Sequence, residues 1–142
     1  MADIPLRPAS PKRVRVLFYA GPSMNPLLRE NDLLEISPCR PGSARAGDVI
    51  AFENRSARVI VVHRVVADEG RGLITRGDNN GSRDIDPVRA DQLIGRVTVG
   101  WRGAARFEIA GGRRGLMAAR IRWLRRACGT RIGRLSKLML LS

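Results

Sequence analysis

The longest β-branched run in this chain most constrains its fold. Residues 57–67 read Ala-Arg-Val-Ile-Val-Val-His-Arg-Val-Val-Ala and are followed by charged turn residues. Period-two alternation puts Val59, Val61, His63 and Val65 on one strand face and Ile60, Val62, Arg64 and Val66 on the other. We therefore expect a long strand here, at the centre of a sheet.

Shorter strand-like segments surround this run. They cover residues 14–18, 33–36, 49–52, 73–76, 93–101 and 106–109, with turn residues between them. No helical period appears before Gly112. The sequence therefore predicts a mainly β fold, with an all-β domain over residues 12–111. Three prolines in residues 1–11 predict a flexible lead before it.

The basic charge of the chain lies mostly at its C-terminal end. The formal net charge is +13, yet residues 112–142 hold 9 of the 26 basic residues and no acid. Helical spacing puts a set of apolar residues on one face of this tail: Met117, Ile121, Leu124, Cys128, Leu135 and Met139. We expect a basic amphipathic helix whose partner is anionic, either phospholipid or nucleic acid.

One serine is presented by a stiff turn between two apolar runs. In the segment Tyr-Ala-Gly-Pro-Ser-Met-Asn-Pro of residues 19–26, Pro22 restricts the backbone before Ser23 and Gly21 allows a close approach. Met24 gives the loop an apolar side, and we also expect it to contact a substrate. Asn31-Asp32 then turns the chain into the next strand.

A serine attacks as a nucleophile only when a base takes its proton. Lysine occurs only at Lys12 and Lys137, and arginine stays protonated, so the candidate base is His63, the one histidine. A histidine base needs an acceptor for its other ring nitrogen. Asp78, Asp84 and Asp86 all lie in the polar loop of residues 77–87, and the residues alone leave the choice among them open.

The order of these motifs resembles the type I signal peptidases and the related self-cleaving repressor peptidases. Their serine segment reads Gly-x-Ser-Met-x-Pro followed by Gly-Asp, where this chain has Asn31-Asp32. The strand around His63 and the Gly-Asp-Asn-Asn loop of residues 77–80 resemble the endoplasmic-reticulum and archaeal branch. The resemblance implies Ser23 as nucleophile, His63 as base and Asp84 as orienter, with Asp78 and Asp86 as secondary candidates. It also implies an oxyanion donor in the Ser23 backbone N–H.

The predicted function is that of a serine endopeptidase acting on an extended peptide, without a metal or other cofactor. A self-cleaving repressor-type peptidase is a weaker alternative because that branch uses lysine. A catalytically silent basic module that binds nucleic acid is another, disfavoured because no stacking aromatics are spaced along the strands.

The sequence also indicates where the chain works. It has no signal-peptide pattern and no apolar run of roughly 18 residues, so we expect a cytoplasmic or peripherally membrane-associated protein. Residues 113–141 are the segment that we expect to contact an anionic membrane.

Overall fold

The computed structural model describes residues 13–139, and the lead predicted for residues 1–11 lies outside them. Seven strands are followed by one long helix. Their bounds are β1 Arg15–Phe18, β2 Leu33–Ser37, β3 Val49–Asn54, β4 Val59–Asp68, β5 Leu73–Arg76, β6 Leu93–Arg102, β7 Ala105–Glu108 and α1 Gly112–Met139. The predicted mainly β fold is confirmed, since each predicted strand segment overlaps an observed strand.

All seven strands belong to one antiparallel sheet with the order β1-β2-β6-β3-β4-β5, and β7 pairs with β6. The strand with most neighbours is thus β6, while β4 lies between β3 and the edge strand β5. The expectation that residues 57–67 form the central strand is wrong. Residues 62–65 of β4 are nevertheless buried, because apolar clusters pack on both faces of the strand.

The alternation predicted for β4 is confirmed by its packing. Val62 packs into one apolar cluster with Met24, Leu34 and Val49. Val65, three residues further on, packs into a second cluster. His63 therefore lies on a strand that both clusters hold in place.

Two turns each have an aspartate just before a strand, and both aspartates form ion pairs with arginines of β6. Asp32 accepts a hydrogen bond from the Arg29 N–H at 2.8 Å, and Asp48 accepts one from the Arg45 N–H at 2.9 Å. The β6 arginines complete both turns: Arg102 pairs with Asp32 at 2.7 Å and Arg96 with Asp48 at 3.2 Å. Asn31, just before Asp32, has φ 67°, a left-handed conformation that asparagine tolerates better than most residues.

Helix α1 packs on the sheet through small and basic residues. Ala119 is buried, and Arg122 donates to Asp78 at 3.2 Å. The apolar residues Met117, Ile121 and Leu124 are 66%, 44% and 49% exposed. At 100° per residue they lie nearly opposite Ala119 and Arg122, so this apolar stripe faces away from the sheet.

In the part of the chain that the structure describes, no helix combines the length and the apolar content needed to cross a lipid bilayer.

Candidate functional site

Ser23 lies in a loop that starts where β1 ends and is closed by main-chain hydrogen bonds. The Tyr19 N–H donates to the Asp32 carbonyl at 2.7 Å, and the Asn31 N–H donates to the Tyr19 carbonyl at 2.9 Å. Gly21 has φ +100°, a conformation that favours glycine. Ser23, two residues on, is partly buried at the loop surface.

The β4 strand brings His63 to this serine. His63 Nε2 lies 3.1 Å from Ser23 Oγ, and His63 Nδ1 lies 2.5 Å from Asp84 Oδ2. His63 is 8% exposed, and the Phe52 ring meets its imidazole edge-on with centroids 6.3 Å apart. The structure therefore brings Ser23, His63 and Asp84 into one line of contacts.

Asp84 is held as an anion by its donors. Thr75 Oγ1 donates to Asp84 Oδ2 at 2.6 Å, and the Asp84 N–H donates to the Thr75 carbonyl at 2.8 Å. Burial works to raise the pKa of Asp84, but the hydrogen bonds from His63 and Thr75 and the attraction to the imidazole outweigh it. The pKa of Asp84 is therefore lowered from 3.8. A carboxylate in this state orients a ring N–H and stabilises an imidazolium.

Asp78 and Asp86 lie in other surroundings. Asp78 forms a two-pronged ion pair with Arg64, with both N–O distances 2.8 Å and with side chains 4% and 2% exposed. Asp86 is exposed and has no hydrogen bond to His63 within the described residues. Of the three candidate carboxylates, only Asp84 contacts the imidazole.

The loop of residues 77–80 holds the serine loop in place through hydrogen bonds from Asn79. The Asn79 N–H donates to the Ser23 carbonyl at 2.8 Å, and the Asn79 side-chain amide donates to the Pro22 carbonyl at 3.0 Å. Met24 is 0% exposed, and its sulfur accepts from the Asp78 N–H at 3.3 Å. Its side chain lies beneath the loop, and the substrate contact predicted for it stays a prediction.

Sequence reasoning missed two side chains of the site. Tyr19 Oη lies 3.1 Å from Ser23 Oγ, and Thr75 donates to Asp84. Tyr19 carried one usable signal, since it is the only tyrosine in the chain and lies four residues before the serine. Thr75 carried none, because a threonine in a strand is ordinary.

Comparison with known proteins finds similar chains among signal peptidase subunits. The chain is 34% identical over 75 residues to the signal peptidase complex catalytic subunit SEC11 of Debaryomyces hansenii, covering 49% of this chain and 44% of that one. It is 35% identical over 85 residues to SEC11 of Lachancea thermotolerans, covering 56% and 49%. The SEC11 of Clavispora lusitaniae is 33% identical over 74 residues, covering 49% and 43%.

The chain thus spans about half the length of the curated relatives it matches. No family model and no solved structure matches it.

The chain is thus similar over about half of its length to signal peptidase catalytic subunits, and its described part has a mainly β fold. This similarity agrees with the resemblance to signal peptidases that the serine-loop motif indicates.

Proposed function

We propose that this chain is a serine endopeptidase of the signal-peptidase type, with Ser23 as nucleophile, His63 as general base and Asp84 as orienter. The observation that carries the proposal is the line of contacts from Ser23 Oγ to His63 Nε2 at 3.1 Å and from His63 Nδ1 to Asp84 at 2.5 Å. The first distance suits proton transfer from the hydroxyl to the imidazole, and the second is a hydrogen bond through which the carboxylate orients the ring.

In the acylation half of this mechanism, Ser23 Oγ attacks the peptide carbonyl carbon as its proton passes to His63 Nε2. The carbonyl π pair moves to its oxygen, where the Ser23 backbone N–H is the donor that the family resemblance implies. When the C–N bond breaks, the leaving amine takes the proton from His63. Asp84 stabilises the imidazolium between these two transfers, and the product is an ester on Ser23.

In the deacylation half, water attacks the ester carbonyl and passes one proton to His63. The C–O bond then breaks, its electron pair returns to Ser23 Oγ, and His63 gives its proton back to that oxygen. The released acid is the new C-terminus of the substrate, and the side chains return to their starting state.

The edge strand β1 has an open edge along which an extended substrate peptide can bind. It pairs only with β2 among the described strands, so its other edge has free main-chain groups, and it leads directly to the serine loop. Val16 and Phe18 on this strand are 64% and 69% exposed. A peptide added along this edge would gain main-chain hydrogen bonds and apolar contact, and its scissile bond would lie near Ser23.

Helix α1 is the element that we propose makes peripheral contact with an anionic membrane. The outward stripe of Met117, Ile121 and Leu124 is flanked by exposed Trp123 and by basic side chains, including Arg120 and Arg125. An apolar stripe bordered by arginines suits the boundary between acyl chains and anionic headgroups. Nucleic acid is the disfavoured partner because the apolar residues of the stripe would find no contact on a phosphate backbone.

A serine-directed acylating probe tests the proposed function. We expect the wild-type chain to be labelled at Ser23 and the Ser23→Ala and His63→Ala variants to remain unlabelled, since nucleophile and base act as one unit. The matched control is Ser82→Ala, which removes an exposed serine of the nearby polar loop and should label like wild type. Labelling that survives in Ser23→Ala, or no labelling of the wild type, would favour the silent binding module instead.

A further inference from the structure

Tyr19 is buried beside Ser23, and the proposed mechanism gives its side chain no role. It follows β1 directly, is 4% exposed and packs in the same apolar cluster as Met24 and Leu28. Its main-chain N–H and carbonyl are both bonded across the loop, to Asp32 and Asn31. The ring therefore has a fixed place, with its hydroxyl directed at the serine.

The contacts of this hydroxyl determine the direction of its own proton. The Met24 N–H donates to Tyr19 Oη at 3.0 Å, so the phenol oxygen is already an acceptor on that side. The other polar neighbour is Ser23 Oγ at 3.1 Å. Ser23 has a single hydroxyl proton, and the proposed mechanism requires it on the side of His63 Nε2. Oγ is then an acceptor toward Tyr19, and the phenol proton is the donor.

The result is one directional chain of hydrogen bonds. It runs from the Met24 N–H to Tyr19, from the Tyr19 O–H to Ser23, from the Ser23 O–H to His63, and from the His63 N–H to Asp84. Each hydroxyl in the chain accepts one bond and donates one. When all the hydrogen bonds of such a series point the same way, each one polarises the next in the same sense.

We propose that Tyr19 is a further catalytic residue, whose hydroxyl donates to Ser23 Oγ and stabilises the charge that develops there as the proton leaves. This inference rests on the proposed function. As Oγ gives its proton to His63 and its lone pair to the carbonyl carbon, Tyr19 keeps its own proton and gains a stronger acceptor. In deacylation it donates again, to the oxygen that regains the electron pair of the broken C–O bond.

A purely structural role for Tyr19 makes different predictions. A buried phenol that only satisfies the Met24 N–H would matter for folding stability, and the acylation rate would not depend on how strongly it donates. The chain offers a direct way to vary donor strength, because Tyr19 is its only tyrosine. Biosynthetic replacement of tyrosine by ring-fluorinated tyrosines alters this one hydroxyl, making the phenol more acidic while keeping its oxygen as an acceptor for Met24.

The experiment measures acylation of the full chain by the serine-directed probe, at a pH where the phenols remain protonated. We expect Tyr19→Phe to lower the maximal acylation rate about ten- to hundred-fold, the range of one hydrogen bond to a charged group, with half-saturation by the probe unchanged. Across the fluorinated series the maximal rate should rise with phenol acidity. Because these proteins keep the hydroxyl, they provide the test even if Tyr19→Phe does not fold.

Two results would overturn the inference: a wild-type rate in folded Tyr19→Phe, or a fluorinated series whose rate is flat or falls with phenol acidity. Both are distinct from failure of the proposed function, which would show as a wild-type chain that the probe does not label at Ser23.

Discussion

Three aspartates lie close to one another in the chain, and their surroundings give them different chemistry. Asp84 is anionic and bonded to His63 and Thr75. Asp78 is neutralised by Arg64 and Arg122 in a buried cluster, and Asp86 is exposed. The charge of Asp78 is already compensated by its two arginine partners, so this carboxylate is not available to orient an imidazole. These neighbours, and not the residue type, separate a catalytic candidate from a structural one.

The roles of Asp84 and Asp86 can be separated by isosteric variants. We expect Asp84→Asn to lower kcat/KM about a hundred- to ten-thousand-fold, because the imidazole loses the anion that orients it and stabilises its charged form. Asp86→Asn should stay within about twofold of wild type, the ordinary effect of changing an exposed side chain without a contact to the site. Steady-state cleavage of a peptide substrate measures both. The reverse ranking would assign the orienting role to Asp86, and two equally small effects would indicate a Ser-His dyad.

A pH prediction follows from Asp32. Its burial works to raise its pKa, but hydrogen bonds from Arg102 and from the Arg29 N–H outweigh that effect and lower the pKa of Asp32 from 3.8. A lowered folded-state pKa stabilises the fold above the unfolded-state value, and this stabilisation is lost as pH falls through the folded-state value. We expect Asp32→Asn to cost about 1–3 kcal/mol of unfolding free energy at neutral pH. The difference from wild type should shrink below pH 3.8.

Urea unfolding at stepped pH measures this difference, and Asp91→Asn is the matched control. The pKa of Asp91 is also lowered; desolvation opposes the shift, but the charges and hydrogen bonds of Arg55 and Arg89 together outweigh it. Its ion pair with Arg55, however, joins two side chains that are each 52% exposed. Exposed pairs contribute little, so this variant should differ less from wild type. A difference for Asp32→Asn that persists unchanged into acid would contradict the pH linkage.

At the scale of elements, the site depends on two loops that touch. A Cβ added at Gly77 would lie 2.5 Å from the Ser23 carbonyl oxygen and 3.0 Å from Ser23 Cβ. The close approach lets the Asn79 N–H reach the Ser23 carbonyl. Helix α1 reinforces the same loop, since Arg122 donates to Asp78 and Arg126 donates to the Asn79 side chain. Ser23 is therefore positioned by segments far from it in sequence.

Gly77→Ala tests the closeness of these loops. We expect the added methyl group to push the serine loop away from the imidazole, lowering kcat/KM at least tenfold and costing about 1–3 kcal/mol of stability. Gly81→Ala is the control in the same loop, because its Cβ would meet nothing within 4 Å. Peptide cleavage and thermal unfolding measure both variants. Wild-type activity in Gly77→Ala would mean that the loop contact does not position Ser23.

At the scale of the whole molecule, basic charge and exposed apolar surface occur together on helix α1. The net charge of +13 is concentrated toward α1, whose apolar stripe faces away from the sheet. The site-facing side of the same helix is engaged by Asp78. Removing the whole helix would therefore disturb the site as well as the surface proposed to contact a membrane, so point variants on the stripe are the cleaner test of membrane contact.

The double variant Ile121→Gln/Leu124→Gln changes the stripe without touching the arginines. We expect the wild-type chain to bind vesicles that contain phosphatidylglycerol and to dissociate as salt rises, because salt screens the arginines. The double variant should bind at least tenfold more weakly, since two side chains no longer enter the acyl region. Vesicle co-sedimentation measures this. The control is Val59→Gln, which changes an apolar residue on β4 that is 51% exposed.

Equal binding by the double variant and the wild type would contradict insertion of the stripe. Binding to duplex DNA as strong as binding to vesicles would indicate a nonspecific polycation.

The sequence by itself determined the features that depend on near neighbours along the chain. Alternation located the strands, helical spacing located α1, and the scarcity of lysine and histidine singled out His63 as the candidate base for Ser23. The left-handed turn at Asn31 also follows from local chemistry. These features are readable because period, turn chemistry and residue type act over a few residues.

The tertiary structure alone decided how distant segments meet. It placed β4 beside the edge strand, chose Asp84 for His63, gave Asp78 to Arg64 and brought the Tyr19 hydroxyl to Ser23. It also turned the apolar stripe of α1 outward. Strand order and side-chain partners depend on which surfaces are buried together, and that burial is a property of the assembled sheet rather than of any one segment.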